Sequence, residues 1–365
     1  MSAPEASPFL HTVVPYLATA DGLAIDAVLA LSARHMAERE RSWRLAATNL
    51  ECKALSSLRM RLGLIWTQGT GSQPDVCLAM MIFCLLEIIN ARDRKWVVHL
   101  KGARSLVRTM NVTTNSSRPL DELTAFTNMF FAFQDVIGRT ACGEEPIFGS
   151  EYWHAEDTAV NAWLGCSPAL VSIVCDITEL SREKLRLKDL DLEHKSAILE
   201  DRLESLRQAI RQPDDKDLRK SADVKHVAAQ VYLHCALHGS RPGTPLTREL
   251  VANILRCVLS FIRAGKGAGL LWPLFVAAVE LDPLDDCYDG PSGTVIHGRS
   301  FVLGALGHLA QTSLSNTVKA KQVITQVWHA RDDACAEASS TASCEARSND
   351  WEHFVAPVSH SISLA

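Results

Sequence analysis

Apolar residues recur along this chain at intervals of three and four, the spacing that lines one face of a helix, and no run of strict alternation argues for a strand. The first such segment, Ala24–Glu40, opens behind Asp21 as an N-cap and sets Ile25, Leu29 and Ser32 on one face, with Val28 and Leu31 beside them. A longer one runs from Trp43 to Trp66 through Leu45, Leu55, Leu58, Leu62 and Ile65, and the Gly-rich stretch 67–74 ends it. Asp75–Asn90 is apolar nearly all round. A helix without a polar face must be covered on every side, so this segment is expected at the centre of a helical body. Lys95–Met110 follows, with Trp96, Leu100, Ala103 and Val107 at helical spacing, then a Phe-rich segment, Asp121–Arg139, and an irregular connection over 143–156.

Beyond it, Leu164–Leu180 feeds a charged stretch, Ser181–Gln212, in which Leu185, Leu192, Leu199 and Leu206 recur every seven residues beside Leu203 and Ile210. Such a seam can zip two copies into a homodimer or fold back as an antiparallel arm; Lys188 and Lys195 on the seam favour the arm. Further helices are expected at Ala222–Leu237, Thr247–Ala264, Leu270–Leu281 and Phe301–Ala330, with a Gly- and Asp-rich break at Asp285–Gly293. Ala334–Asn349, small and polar, reads as a disordered loop, after which Trp351 and Phe354 anchor a last turn. The pattern therefore predicts an all-α chain built as a single large multi-helix bundle or solenoid-like body. Its divisions are an N-terminal extension (1–20), the helical body (21–332), the loop (333–349) and a C-terminal anchor and tail (350–365).

Composition narrows what such a body can do. With 37 Lys and Arg against 42 Asp and Glu, the net charge is −5, and no global positive field draws the chain to phosphate backbones. The first basic side chain is Arg34, so neither a secretory n-region nor an Arg-rich presequence is read at the start. The longest apolar run, Val76–Leu86, is shorter than the roughly 20 residues a membrane span needs, and a soluble intracellular protein is expected. Eleven cysteines include no C-x-x-C pair; Cys77, Cys84, Cys235 and Cys257 sit in apolar helical runs, where a thiol acts as a small hydrophobe.

Candidate chemistry is sparse. Asp285-Asp286-Cys287-Tyr288-Asp289 fits the D-D-x-x-D pattern by which helical terpene synthases hold magnesium diphosphate, which would make the chain a helical metal-dependent enzyme. Pro283 before it and Gly290-Pro291 after it place the acids on a loop, where they would not line up. His234 and His238, spaced i and i+4, have zinc-ligand spacing with Cys235 or His226 as a third donor, yet Cys235 stands where a zincin needs Glu. Histidines before Gly239 also serve to bond the last carbonyls of a helix, the reading preferred here. Gly265–Gly269 lacks the full phosphate-loop pattern, and Ser181-x-x-Lys184 lies on a solvated face. Cys77 and Cys84 reproduce one gap of a six-cysteine zinc cluster, but inside the most apolar segment and without basic neighbours.

Three ordered phrases carry a resemblance. Leu29-Ala-Leu-Ser-Ala-Arg-His35-Met opens the series. Glu87 is followed by Trp96-Val-Val-His99-Leu100-Lys-Gly102-Ala103-Arg104. Ala229-x-Val-Tyr232-Leu-His234 then precedes Leu271-Trp272-Pro273-Leu-Phe-Val276. With Trp328-x-x-Arg331-Asp332 and the later Trp351, they resemble the fungal-specific transcription factor domain of the second type, over about residues 10 to 355. The resemblance implies a non-catalytic, nuclear regulatory domain that works through protein partners or a small-molecule effector beside a zinc binuclear cluster. Within these 365 residues no such cluster is encoded, so direct DNA contact by this segment is not expected. An incomplete gene model, a degenerate paralogue and a standalone regulator remain alternatives. The residues of the phrases are expected to build the fold, with no catalytic, cofactor or metal role.

Overall fold

The computed structural model describes residues 9–20, 22–68, 73–89, 95–113, 122–142, 147–149, 152–211, 214–312, 317–338, 351–355 and 362–364, and they are predominantly helical. They group into two compact units, Ala3–Ala132 and Phe133–Ala365.

In the first unit a short π turn, Phe9–Val13, leads into α1 (Val14–Thr19), followed by α2 (Leu23–Arg39), α3 (Arg44–Gln68), α4 (Gln73–Ile89), α5 (Lys95–Thr113) and the front of α6 (Glu122–Cys142). The expected face of α2 is corrected. Ala24, Ala27, Ala30, Ala33 and Ala37 are buried, whereas Leu29 is 46 % exposed. Both stripes have helical period; the small one wins because it lets α2 approach α3 and α4 closely, with Ala33 and Ala37 packed on Ala47 and Leu50. The expected cap Asp21 lies outside the described residues. The first turn of α2 is instead served from α4: the Ala24 amide donates to Asp75 Oδ1 at 3.2 Å. Burial raises the Asp75 pKa, and this hydrogen bond opposes the rise. As expected, α4 is covered all round, from Val76 to Leu86 and on to Ile88.

The second unit holds the end of α6, α7 (Pro168–Glu183), α8 (Asp189–Ser205), α9 (Lys216–Ala236), α10 (Pro245–Arg263), α11 (Leu271–Val279), α12 (Gly298–Thr312), α13 (Thr317–Ala338) and α14 (Trp351–Val355). Ser167, Asp215 and Thr244 cap α7, α9 and α10 through their side chains, with Pro168 and Pro245 just inside the first turn. The seven-residue leucine seam is not carried on one helix, since α7 stops at Glu183 and α8 starts at Asp189. Leu185, between them, is 92 % exposed, while Leu199 and Leu203 are buried. Arg202 faces Asp176 (2.8 Å) and Lys195 faces Glu183 (3.9 Å), the reversed order of an antiparallel arm.

Two further expectations are revised. Cys287–Asp289 (β1) and Val295–His297 (β2) form an antiparallel hairpin with Tyr288 opposite Ile296, both buried. Two alternating residues per strand are too short a signal to stand out in the sequence. The helix α13 also continues to Ala338, so the first residues of the expected loop 334–349 are helical; 339–350 lie outside the described residues. No single helix among the described residues is long and apolar enough to cross a membrane.

Candidate functional site

The phrase residues occupy two places. In the first unit, Trp96, Leu100 and Ala103 on α5 and Glu87 on α4 are buried. The His99 ring stacks on Phe83, centroids 5.6 Å apart and planes at 18°. A Cβ on Gly102 would come within 2.9 Å of Met80 Cε, the flexible end of a side chain on α4.

In the second unit the Trp272, Trp328 and Trp351 phrases gather at the two ends of α11. Trp272 is buried and its indole N–H donates to Thr140 Oγ1 at 3.0 Å. Pro273 falls in the first turn of α11, where a missing N–H breaks no intrahelical bond. At the other end of the helix, Trp328 Nε1 donates to the Ala278 carbonyl at 2.8 Å and Arg331 donates to the carbonyl of Val279. Glu280, buried, accepts from Trp351 Nε1 at 3.0 Å and faces Arg331 at 3.8 Å. Terminal carbonyls that α11 cannot pair internally are thus met by side chains from α13, and α14 closes the group. Outside it, Arg299 makes two 2.7 Å hydrogen bonds to Asp332 and lies 5.4 Å from the centre of the Trp328 ring. The guanidinium holds the Asp332 carboxyl below its ordinary pKa. Tyr232, on α9, shares a 3.1 Å hydrogen bond with Thr178.

The acidic cluster does not have the geometry a magnesium diphosphate site needs. Asp285 is ion-paired with Arg248 at 2.7 Å, Asp286 accepts from the Arg299 amide at 3.3 Å, and Asp289 lies on a strand. Asp285 and Asp286 precede the strand in irregular chain, so the three carboxylates are not stacked one helical turn apart. Around it, Asp286, Cys287 and His297 bring one donor atom each within 4.8 Å of one another, with Cys287 Sγ 3.6 Å from His297 Nδ1.

The histidine pair lies elsewhere. His234 is in the last turn of α9 and His238 is just beyond it, their ring centroids 5.5 Å apart. Neither expected third donor joins them. Glu200 of α8 does, with His238 Nε2 3.4 Å from Glu200 Oε2 and donor atoms of all three within 4.8 Å. Burial lowers the His234 pKa, with the Glu200 charge opposing. Only the antiparallel arm brings position 200 beside 234, so sequence spacing could not have found it.

Sequence reasoning also missed Lys225. It is buried on α9, its Nζ donates to Ser221 Oγ at 3.0 Å, and burial lowers its pKa. The close approach of Gly165 and Gly269 makes room for its ammonium: a Cβ on either would lie 2.7 or 3.4 Å from Nζ.

The phrases cap helices and seat tryptophans, and the acidic cluster carries an ion pair to Arg248 and borders a hairpin. The chain belongs to the fungal specific transcription factor domain family, whose model matches residues 1–365. No curated protein and no solved structure matches it significantly. The role is accordingly one in transcription regulation, and transcription factor domains are generally non-enzymatic.

Proposed function

We propose that this chain is the effector-interaction part of a nuclear transcriptional regulator, working through protein partners or a small-molecule effector and making no direct contact with DNA. The whole-length family match carries the reading. It is supported by the hydrogen bonds that engage Trp272, Trp328, Arg331 and Asp332 within the fold, and by the net charge of −5, which opposes phosphate binding. Fusing the chain to a heterologous DNA-binding module upstream of a reporter tests it. A reproducible rise or fall in transcription is expected, together with no salt-sensitive retention of the unfused chain on duplex DNA. An inert fusion, or specific DNA binding by the chain alone, would overturn the proposal.

A further inference from the structure

We infer that Glu200, His234 and His238 form a binding site for a divalent transition metal of zinc type, joining the α7–α8 arm to the end of α9. Three observations converge. His234 projects from the last turn of α9 and His238 from the residues just past it, held by its amide bond to the His234 carbonyl, and the third donor comes from a different helix, so helix packing brings all three near one point. The 3.4 Å between His238 Nε2 and Glu200 Oε2 is long for a charge-assisted hydrogen bond, which runs about 2.7–2.9 Å. It is close to the edge of a tetrahedron, about 3.3 Å, that follows from metal–ligand bonds of about 2.0–2.1 Å. The surrounding field also favours a cation. The negative end of the α9 dipole lies here, and Glu204, one turn beyond Glu200 on α8, acts on His234.

The backbone fixes the geometry as well. The His234 carbonyl accepts from the amides of His238 (3.2 Å) and Ser240 (3.1 Å), and Gly239 takes φ +65° to turn the chain away immediately after the second imidazole. Two nitrogens and one carboxylate suit zinc better than magnesium or calcium, and three protein ligands leave a fourth position for water or for a donor from a bound partner. The Asp286–Cys287–His297 group is the weaker claimant, because Asp286 already accepts from the Arg299 amide and two of its three donors are exposed, against His238 alone in the proposed site. The site is independent of the regulatory reading and would stand if that reading failed.

Cobalt(II) titrated into the full chain, stripped with chelator and kept reduced, tests the site, with zinc then added as competitor. One cobalt per chain is expected, with visible bands of an oxygen- and nitrogen-ligated ion, no thiolate charge-transfer band, and displacement by zinc. His238→Ala, beyond the helix end, and Glu200→Gln, nearly isosteric, should each weaken binding at least about tenfold while retaining the helical circular dichroism of the parent. A Cys287→Ser/His297→Ala variant should bind as the parent does. Undiminished binding by both His238→Ala and Glu200→Gln, a thiolate band lost in the Cys287→Ser/His297→Ala variant, or no saturable binding at micromolar metal would each overturn the proposal.

Discussion

In residues 3–132, α2 buries five alanines together with Leu23 and leaves Leu29 exposed; in residues 133–365, Trp272, Trp328 and Trp351 are buried, each with its N–H bonded. The first unit exposes Leu29, Trp43, Leu45, Met60 and Trp66, and α3 contributes few large buried side chains over its 25 residues. Its described ion pairs, Arg34–Glu51 and Lys53–Asp26, join α2 to α3, the first largely buried and the second with an exposed lysine. In the second unit the ion pair Arg331–Glu280 is buried, and it closes the end of a helix. Close approach between small residues tolerates change in the polar contacts but not in volume. A buried polar anchor behaves the other way, because removing one partner leaves the other without water or a counter-charge.

The contrast would break most visibly at Arg331. Arg331→Leu should cost about 3–5 kcal/mol in guanidinium unfolding by removing the counter-charge that faces buried Glu280, and adding Glu280→Gln should recover part of the loss. In the first unit the sensitive change is one of size. Ala30→Leu is expected to cost about 1–3 kcal/mol by overpacking, whereas Leu29→Ala, next to it and exposed, should stay within about 0.5 kcal/mol. A neutral Ala30→Leu would remove the distinction between the units. Trp272→Phe keeps most of the ring but gives up its bond to Thr140, about 1 kcal/mol by the same unfolding measurement.

The smallest effect is at Asp332, whose folded pKa is depressed by Arg299. A depressed carboxylate contributes stability above its unfolded pKa, near 3.9, and loses it as the pH falls through the folded value. The pair is partly exposed, so the contribution should be under about 1 kcal/mol. The stability difference between the parent and Asp332→Asn should therefore be present at neutral pH and vanish on acidification below about pH 4.

Much of this architecture was legible because helical period survives in single segments. The apolar run 75–90 and the spacing of Trp96, Leu100 and Ala103 gave α4 and α5 nearly to their observed limits. The periodicity failed where two stripes of similar period compete, as on α2, and where a heptad outlasts its helix, as at Leu185. The ordered phrases identified the family, but the cluster of Trp328, Arg331 and Trp351 about Glu280 joins positions 50 to 71 residues apart, and spacing holds no record of such contacts. The same holds for Glu200 beside His234: the histidine pair is visible on one helix, and the carboxylate is supplied by a fold-back.

The end of α11 also carries a lesson for how this protein is made. Its last carbonyls and Glu280 wait for donors that emerge from the ribosome 50 to 71 residues later, so the helix can form early but cannot be sealed until translation has passed Trp351. A nascent chain halted before that point would present an uncapped helix and an orphaned carboxylate. Cellular quality control would have grounds to distinguish it from the finished product.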